Sequence, residues 1–269
     1  MAKDDAAPRR NIAGQITKLG RGTHDIRYDP VNDEIWTSNA YASALLVFRG
    51  GADGAEAPKR IIMGPKTQLD HVSRVDVDWV HNEVFAPEGG GVVVFPREAQ
   101  GDVAPIRAIQ GAKGYQISSL AVDPVHNLIV VGASTGRGRD QRVDLFIYNR
   151  TDNGNVQPRA VIRGPRTGQE VQIGGGQPLN QIQVYPPKGW VIVTLPGAYW
   201  SWESADYTPF IGVWSIHDNG DVPPRWKLGG PKSTLLRPRG VVLNPKNKEL
   251  MVADMHLNAI LTYYFPELF

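Results

Sequence analysis

The sequence predicts an all-β chain folded as a five-bladed β-propeller with four-stranded blades, and three observations carry that expectation. A proline is followed six residues later by a glycine at five places: Pro8/Gly14, Pro58/Gly64, Pro105/Gly111, Pro158/Gly164 and Pro224/Gly230. A second element, of the type Asp-Pro-x-x-(Asp/Asn)-(Glu)-Ile with the Glu optional, appears at Asp29–Ile35 and Asp123–Ile129 and in degenerate form at Asp78–Val84, Tyr185–Val191 and Asn244–Leu250. No stretch shows the 3.6-residue apolar period of an amphipathic helix. Units of about 45–65 residues, each holding several short strands, are the mark of propeller blades.

Each unit is justified strand by strand. The Asp-Pro element, with its Pro, Asn and Asp residues, marks a tight hairpin turn with one strand before it and one after. In the first unit these are strand a, 26–28, and strand b, 34–38. A short apolar run ending in an aromatic follows as strand c, with Phe48, Phe95, Tyr148 and Trp214 in aligned places. Ten residues after each aromatic comes the repeat proline, which opens strand d, as in Pro58-Lys-Arg-Ile-Ile-Met-Gly64. In three copies a Gly-Asp/Asn-Val-x-Pro turn leads into it.

The first proline and glycine, Pro8 and Gly14, precede any strand a, whereas the last unit runs through strands a, b and c. The expectation is that residues 9–13 supply the fourth strand of the last blade and so close it. The chain is then one domain, 1–269. Its blades fall at about 24–64, 73–111, 118–164 and 180–230, with 239–269 plus 8–14 forming the fifth.

Composition narrows function. The net charge is +2, with 29 basic and 27 acidic residues, which gives no footprint for nucleic acid. No apolar run is long enough to span a membrane as a helix. With no cysteine, the chain has no disulfide, thiolate nucleophile or Cys-ligated metal. Met1–Arg10 has no apolar signal-peptide core. The expected location is therefore cytoplasmic, or periplasmic or extracellular after removal of a signal. Nucleophile-elbow, phosphate-loop and zinc-protease motifs are absent, and Gly89-Gly-Gly91 reads as a tight turn between strands b and c.

Departures from the repeat mark the candidate sites. The b–c loops of the third and fourth units are long, at 132–143 and 195–210, and so is the d–a connection 164–178. Long loops on a regular scaffold tend to carry function. The expected ligand-binding set is Arg137 in the third loop, Tyr199, Trp200, Trp202, Glu203 and Tyr207 in the fourth, and Asn180 and Arg239 at the mouth of the central channel. Aromatic rings beside carboxylates suit sugar stacking, a cation or a protein partner. They equally suit a self-packed cap over the blade.

Strand a supplies a second set. Asp25 and Arg27 in the first unit face Arg74 and Asp76 in the second, a pattern expected of ion pairs between adjacent blades. His24, His71 and His256, with Asn39, Glu88 and Asp254 at the aligned end of strand b, are candidates to hold a divalent metal ion or to move protons. Hydrogen-bonded polar residues around a water-filled channel are the other reading of the same residues.

The segment Val252-Ala-Asp-Met-His-Leu-Asn-Ala-Ile260 resembles an NHL-type repeat, in which Val-Ala-Asp is followed by Asn and then Arg-Ile. Val252, Ala253, Asp254 and Ile260 match; Asn258 is displaced by one place and Ala259 stands where the Arg would be. The four other units match only through strand a, the turn and strand b. Propellers of this type, and the lactonase and streptogramin-lyase types more distantly similar, usually have six blades where this chain has five repeats. The resemblance implies a bacterial-type propeller used for binding or for metal-assisted lyase or lactonase chemistry.

Three functions follow. The first is a binding propeller whose blade 3 and 4 loops meet a carbohydrate, peptide or protein, with no nucleic acid partner. The second is a metal-dependent lyase or hydrolase centred at the channel mouth, with Glu88 or Asp254 as ligand or base. The third is a structural subunit of a larger assembly.

Overall fold

A computed structural model describes residues 7–136, 142–169, 181–196 and 209–269. The fold is a five-bladed β-propeller. Blade 1 is β1 (Thr23–Asp29), β2 (Glu34–Asn39), β3 (Ala44–Arg49) and β4 (Arg60–Ile62). Blade 2 is β5 (Asp76–Asp78), β6 (Glu83–Glu88), β7 (Gly91–Pro96) and β8 (Arg107–Gln110). Blade 3 is β9 (Gln116–Asp123), β10 (Leu128–Thr135), β11 (Arg142–Asn149) and β13 (Ala160–Ile162). The two-residue β12 (Gly154–Asn155) pairs in parallel with β8. Blade 4 is β14 (Ile182–Tyr185), β15 (Trp190–Leu195), β16 (Phe210–Ser215) and β17 (Trp226–Gly229). The fifth sheet runs β18 (Pro238–Asn244), β19 (Glu249–Asp254) and β20 (Ala259–Tyr264).

Two compact units divide the chain: residues 1–88 with 93–106, and residues 89–92 with 107–269. In the first, Leu46, Phe48 and Ala52 form a buried cluster against Ile12, Leu19, Ile35 and Ile61. In the second, Leu145, Ile147, Val193 and Trp214 lie in one cluster, and Ile192, Val213, Val241, Leu250 and Leu268 in another. The middle strands β2, β3, β6, β7, β10, β11, β15 and β16 are buried on both faces over most of their length. This explains the continuous apolar runs such as Val92-Val-Val-Phe95, since a strand covered on both sides has no polar face to alternate with. In β19 and β20 burial alternates residue by residue instead.

The Asp-Pro element works as an Asx turn. Asp29, Asp78 and Asp123 are fully buried. Each accepts two backbone N–H groups from the turn through Oδ1, those of Val31 and Asn32, Val80 and His81, and Val125 and His126. The second oxygen takes the side chain two residues past the Pro position: Asn32 at 2.7 Å, His81 at 2.7 Å and His126 at 2.8 Å. A side chain that closes the turn on its own backbone fixes the hairpin's direction.

The repeat glycine has an equally local cause. Gly14, Gly64, Gly164 and Gly230 stand at φ 115°, 135°, 126° and 89°, a region that side chains rarely enter. One 3-10 turn follows each. Three residues on, the hydroxyl of Thr17, Thr67, Thr167 or Ser233 donates to that glycine's carbonyl at 2.6 Å. The same oxygen accepts the N–H two residues later.

Two strands differ from expectation. β5 is short, because Arg74 and Val75 precede the ladder. The β10–β11 hairpin is long: its pairing continues through Ser134↔Val143 and Thr135↔Arg142, so the strands take up part of the expected 132–143 loop. The tight turn at Gly89–Gly90 joins β6 to β7 as expected.

Candidate functional site

Side chains of strand a serve first as pegs between successive blades. Asp25 accepts the backbone N–H of Val75 at 3.3 Å, Ser119 that of Ile182 at 3.1 Å, and Gln181 that of Val241 at 2.5 Å. The alternate position carries the ion pair expected between blades 1 and 2, with Arg27 3.1 Å from Asp76 and 3.2 Å from Asp25. Burial works against charge on the Arg27 guanidinium, yet Asp25 and Asp76 together hold it above the ordinary arginine range. The Arg74 guanidinium reaches the carbonyls of Ser73 and His24.

At the aligned end of strand b, Asn39, Glu88 and Asp254 fasten connecting loops to the blades. Asn39 donates to the carbonyl of Lys18 and accepts the N–H of Ala42. Glu88 accepts the N–H of Asp70 at 2.7 Å. Asp254, 2 % exposed, accepts Leu236 and Arg237 N–H through Oδ2, and His256 and Leu257 N–H through Oδ1. Four backbone donors on one carboxylate occupy the electron pairs that a metal would need. Among the described residues, no three His, Asp or Glu side chains converge as a metal set.

Around Glu88 the first compact unit gathers a small group that sequence reasoning only half identified. The N–H of His71 donates to the Ser43 hydroxyl at 3.0 Å, and its ring meets Tyr41 edge-on at 5.4 Å. Ser43 and His71 both hold left-handed backbone, at φ 48° and 52°. Burial pushes the Glu88 carboxyl above the ordinary range, as does the Asp70 charge, while the N–H of Asp70 opposes the shift. Tyr41 and Ser43 carried no signal in the sequence beyond their place in a b–c turn. His24 lies in β1, and His256 follows β19.

The blade 3 and 4 rim is described at its base. Arg137, Asn180, Tyr199, Trp200, Trp202, Glu203 and Tyr207 lie outside the described residues. Below the third loop, Tyr115 donates its hydroxyl to Asp144 at 2.6 Å. Arg142 donates to the Tyr115 oxygen at 3.2 Å and stands 3.9 Å from Asp144. Asp144 is 1 % exposed. Sequence reasoning missed it, although the signal was present: a carboxylate stands where the other four blades place Ala44, Gly91, Phe210 and Ala259. The Thr135 hydroxyl reaches back to the carbonyl of Gly114 at 2.9 Å. Below the fourth loop, Thr194 Oγ1 accepts the N–H of Gln181 at 3.0 Å and lies 3.2 Å from the carbonyl of Arg239.

No protein-family profile matches the chain, and no curated protein matches it.

Proposed function

We propose that this protein is a binding propeller that presents the loops of blades 3 and 4 to a carbohydrate, peptide or protein surface. The observation that carries the reading is the buried Asp144 held by Tyr115 and Arg142 at the root of the third loop. A buried carboxylate is retained only where hydrogen bonds and charge offset its desolvation. Here those partners fix the base of a hairpin that outgrows the other blades. A rigid base supporting variable loops is how scaffolds carry recognition. The aromatic content of the fourth loop, Tyr199, Trp200, Trp202 and Tyr207, supplies stacking surface for sugar rings or apolar anchors.

The test is to probe arrays of immobilised glycans and peptides with the full chain. The Trp200→Ala/Trp202→Ala variant is expected to lose any signal while keeping its melting temperature. Undiminished binding by that variant overturns the assignment to the fourth loop.

One observation favours a second reading, hydrolase or lyase chemistry at the blade 1 and 2 mouth: the Glu88 carboxyl, raised by burial, accepts the N–H of Asp70, the chain neighbour of His71. A carboxyl whose pKa is raised by burial suits a general acid or base. Native mass spectrometry of chain purified without chelator reports any bound metal. If His24→Ala/His71→Ala leaves a stoichiometric metal in place, those two residues are not its ligands.

A further inference from the structure

The turn that carries His126 has one requirement and two solutions. In blades 1, 2 and 3 the buried aspartate that ends strand a takes a side-chain donor three residues on. Blade 1 meets that need with Asn32, whose amide nitrogen donates to Asp29 at 2.7 Å. An asparagine therefore closes the turn as well as a histidine does. Blades 2 and 3 use imidazoles, His81 at 2.7 Å from Asp78 and His126 at 2.8 Å from Asp123, each through Nδ1. A neutral imidazole that donates from Nδ1 carries a lone pair on Nε2. The turn makes no use of that second nitrogen.

Among the described residues His126, unlike His81, has a second imidazole beside it. The rings of His126 and His217 stand 6.3 Å apart between centres, with their planes at 85°. Both residues are exposed and both belong to the second compact unit. His126 lies in the turn from β9 to β10, and His217 follows β16. The main chain anchors His217, whose N–H donates to the Ser215 hydroxyl at 3.2 Å. The Cε1 edge of His126, between its two nitrogens, faces Gly189; a Cβ there would stand 3.8 Å from Cε1 and 3.0 Å from the Ile216 side chain. Glycine keeps that edge open.

First-row divalent ions hold an imidazole nitrogen at about 2.0–2.1 Å. Two imidazoles on one ion then have ring centres about 5–6.5 Å apart, at any angle between their planes. The observed spacing falls in that range. Asp123 supplies the carboxylate that a metal-bound histidine commonly holds with its other nitrogen, fixing the tautomer that leaves Nε2 open.

We propose that His126 and His217 form a two-histidine site for a divalent transition ion that prefers imidazole, such as copper, nickel or zinc, with water in the remaining positions. The ion ties the β9–β10 turn of blade 3 to the turn after β16 in blade 4. The site draws on none of the residues assigned above to ligand or metal binding.

The test is a Cu2+ titration of the untagged full chain, read by calorimetry and by electron paramagnetic resonance. The tightest ion is expected to show two imidazole nitrogens. His126→Asn keeps a donor to Asp123, as Asn32 does for Asp29, and removes the free nitrogen. It is expected to weaken the tightest binding at least about tenfold, the smallest loss usual when even an outer partner of a ligating histidine is removed. His217→Ala, at an exposed position, is expected to do the same. His81→Asn makes the identical change in a turn with no second imidazole, and is expected to bind as the parent does. Parental affinity in either His126→Asn or His217→Ala overturns the proposal. So does a resonance signature of one imidazole, or a loss in His81→Asn equal to that in His126→Asn.

Discussion

The carboxylate of Asp25 accepts the backbone N–H of Val75 at 3.3 Å, joining the first strand of one blade to the start of the next. Ser119 and Gln181 repeat this link to Ile182 and Val241. The polar column of strand a is therefore built largely from acceptors for a neighbouring main chain. Gln181→Ala leaves the buried N–H of Val241 without its partner, and the cost of such an orphan is about 1–3 kcal/mol. Urea unfolding of the variant is expected to show that loss; an unchanged midpoint would mean that the N–H finds another acceptor.

Glu34 predicts how the fold responds to acid. Its carboxylate is fully buried and meets Arg60 at 2.7 Å, Arg97 at 2.9 Å and Lys59 at 2.9 Å. Burial alone would raise this carboxyl, but the hydrogen bonds and charges of Arg60 and Lys59 outweigh it and bring it down to about 2. A carboxyl lowered on folding contributes stability that is fully present above its unfolded value, near 4.5. That stability is lost as pH falls from there towards 2, and amounts to about 3 kcal/mol. Glu34→Gln is expected to destabilise the protein at pH 7 and to flatten its stability between those limits. A parallel acid profile for variant and parent would contradict this.

Tyr115→Phe removes the hydroxyl that donates to buried Asp144. The expected loss is about 1–2 kcal/mol, because a buried carboxylate loses a short hydrogen bond. Thermal unfolding checks it, and Asp144→Asn, which removes the charge and keeps the shape, should recover part of the loss when combined with Tyr115→Phe.

Lys248 is the misfit in a turn column. Asp33, Asn82, Asn127, Gly189 and Lys248 all hold left-handed backbone at the a–b turn, with Lys248 at φ 56°. Asn, Asp and Gly adopt that conformation readily, and a long side chain does not. Lys248→Gly is expected to raise stability by about 0.5–1 kcal/mol. A lower denaturation midpoint would show that the lysine side chain does structural work.

The blades were legible because their causes are local. Asp-Pro turns, the proline and glycine spacing and the aromatic that ends strand c each act within a few residues, so their repetition reports the repeating structure. The hydroxyl corners at Thr17, Thr67, Thr167 and Ser233 were equally local and went unread, although each hydroxyl lies three residues after its repeat glycine. The aligned place of Asn39, Glu88 and Asp254 was visible, but their partners were not. Those partners are backbone groups of Lys18, Ala42, Asp70, Leu236, Arg237, His256 and Leu257, and a main-chain donor or acceptor carries no sequence identity. Asp144 was hidden for another reason: it sits inside an apolar strand, and only comparison across blades exposes it.

Binding through the blade 3 and 4 loops is tested most directly by one side-by-side experiment. The full chain, Trp200→Ala/Trp202→Ala and His71→Ala/Glu88→Gln are applied to the same glycan and peptide arrays at equal concentration. The prediction is that the tryptophan variant loses the signal and the His71/Glu88 variant keeps it. The reverse pattern would contradict that claim and move the site to the mouth of blades 1 and 2.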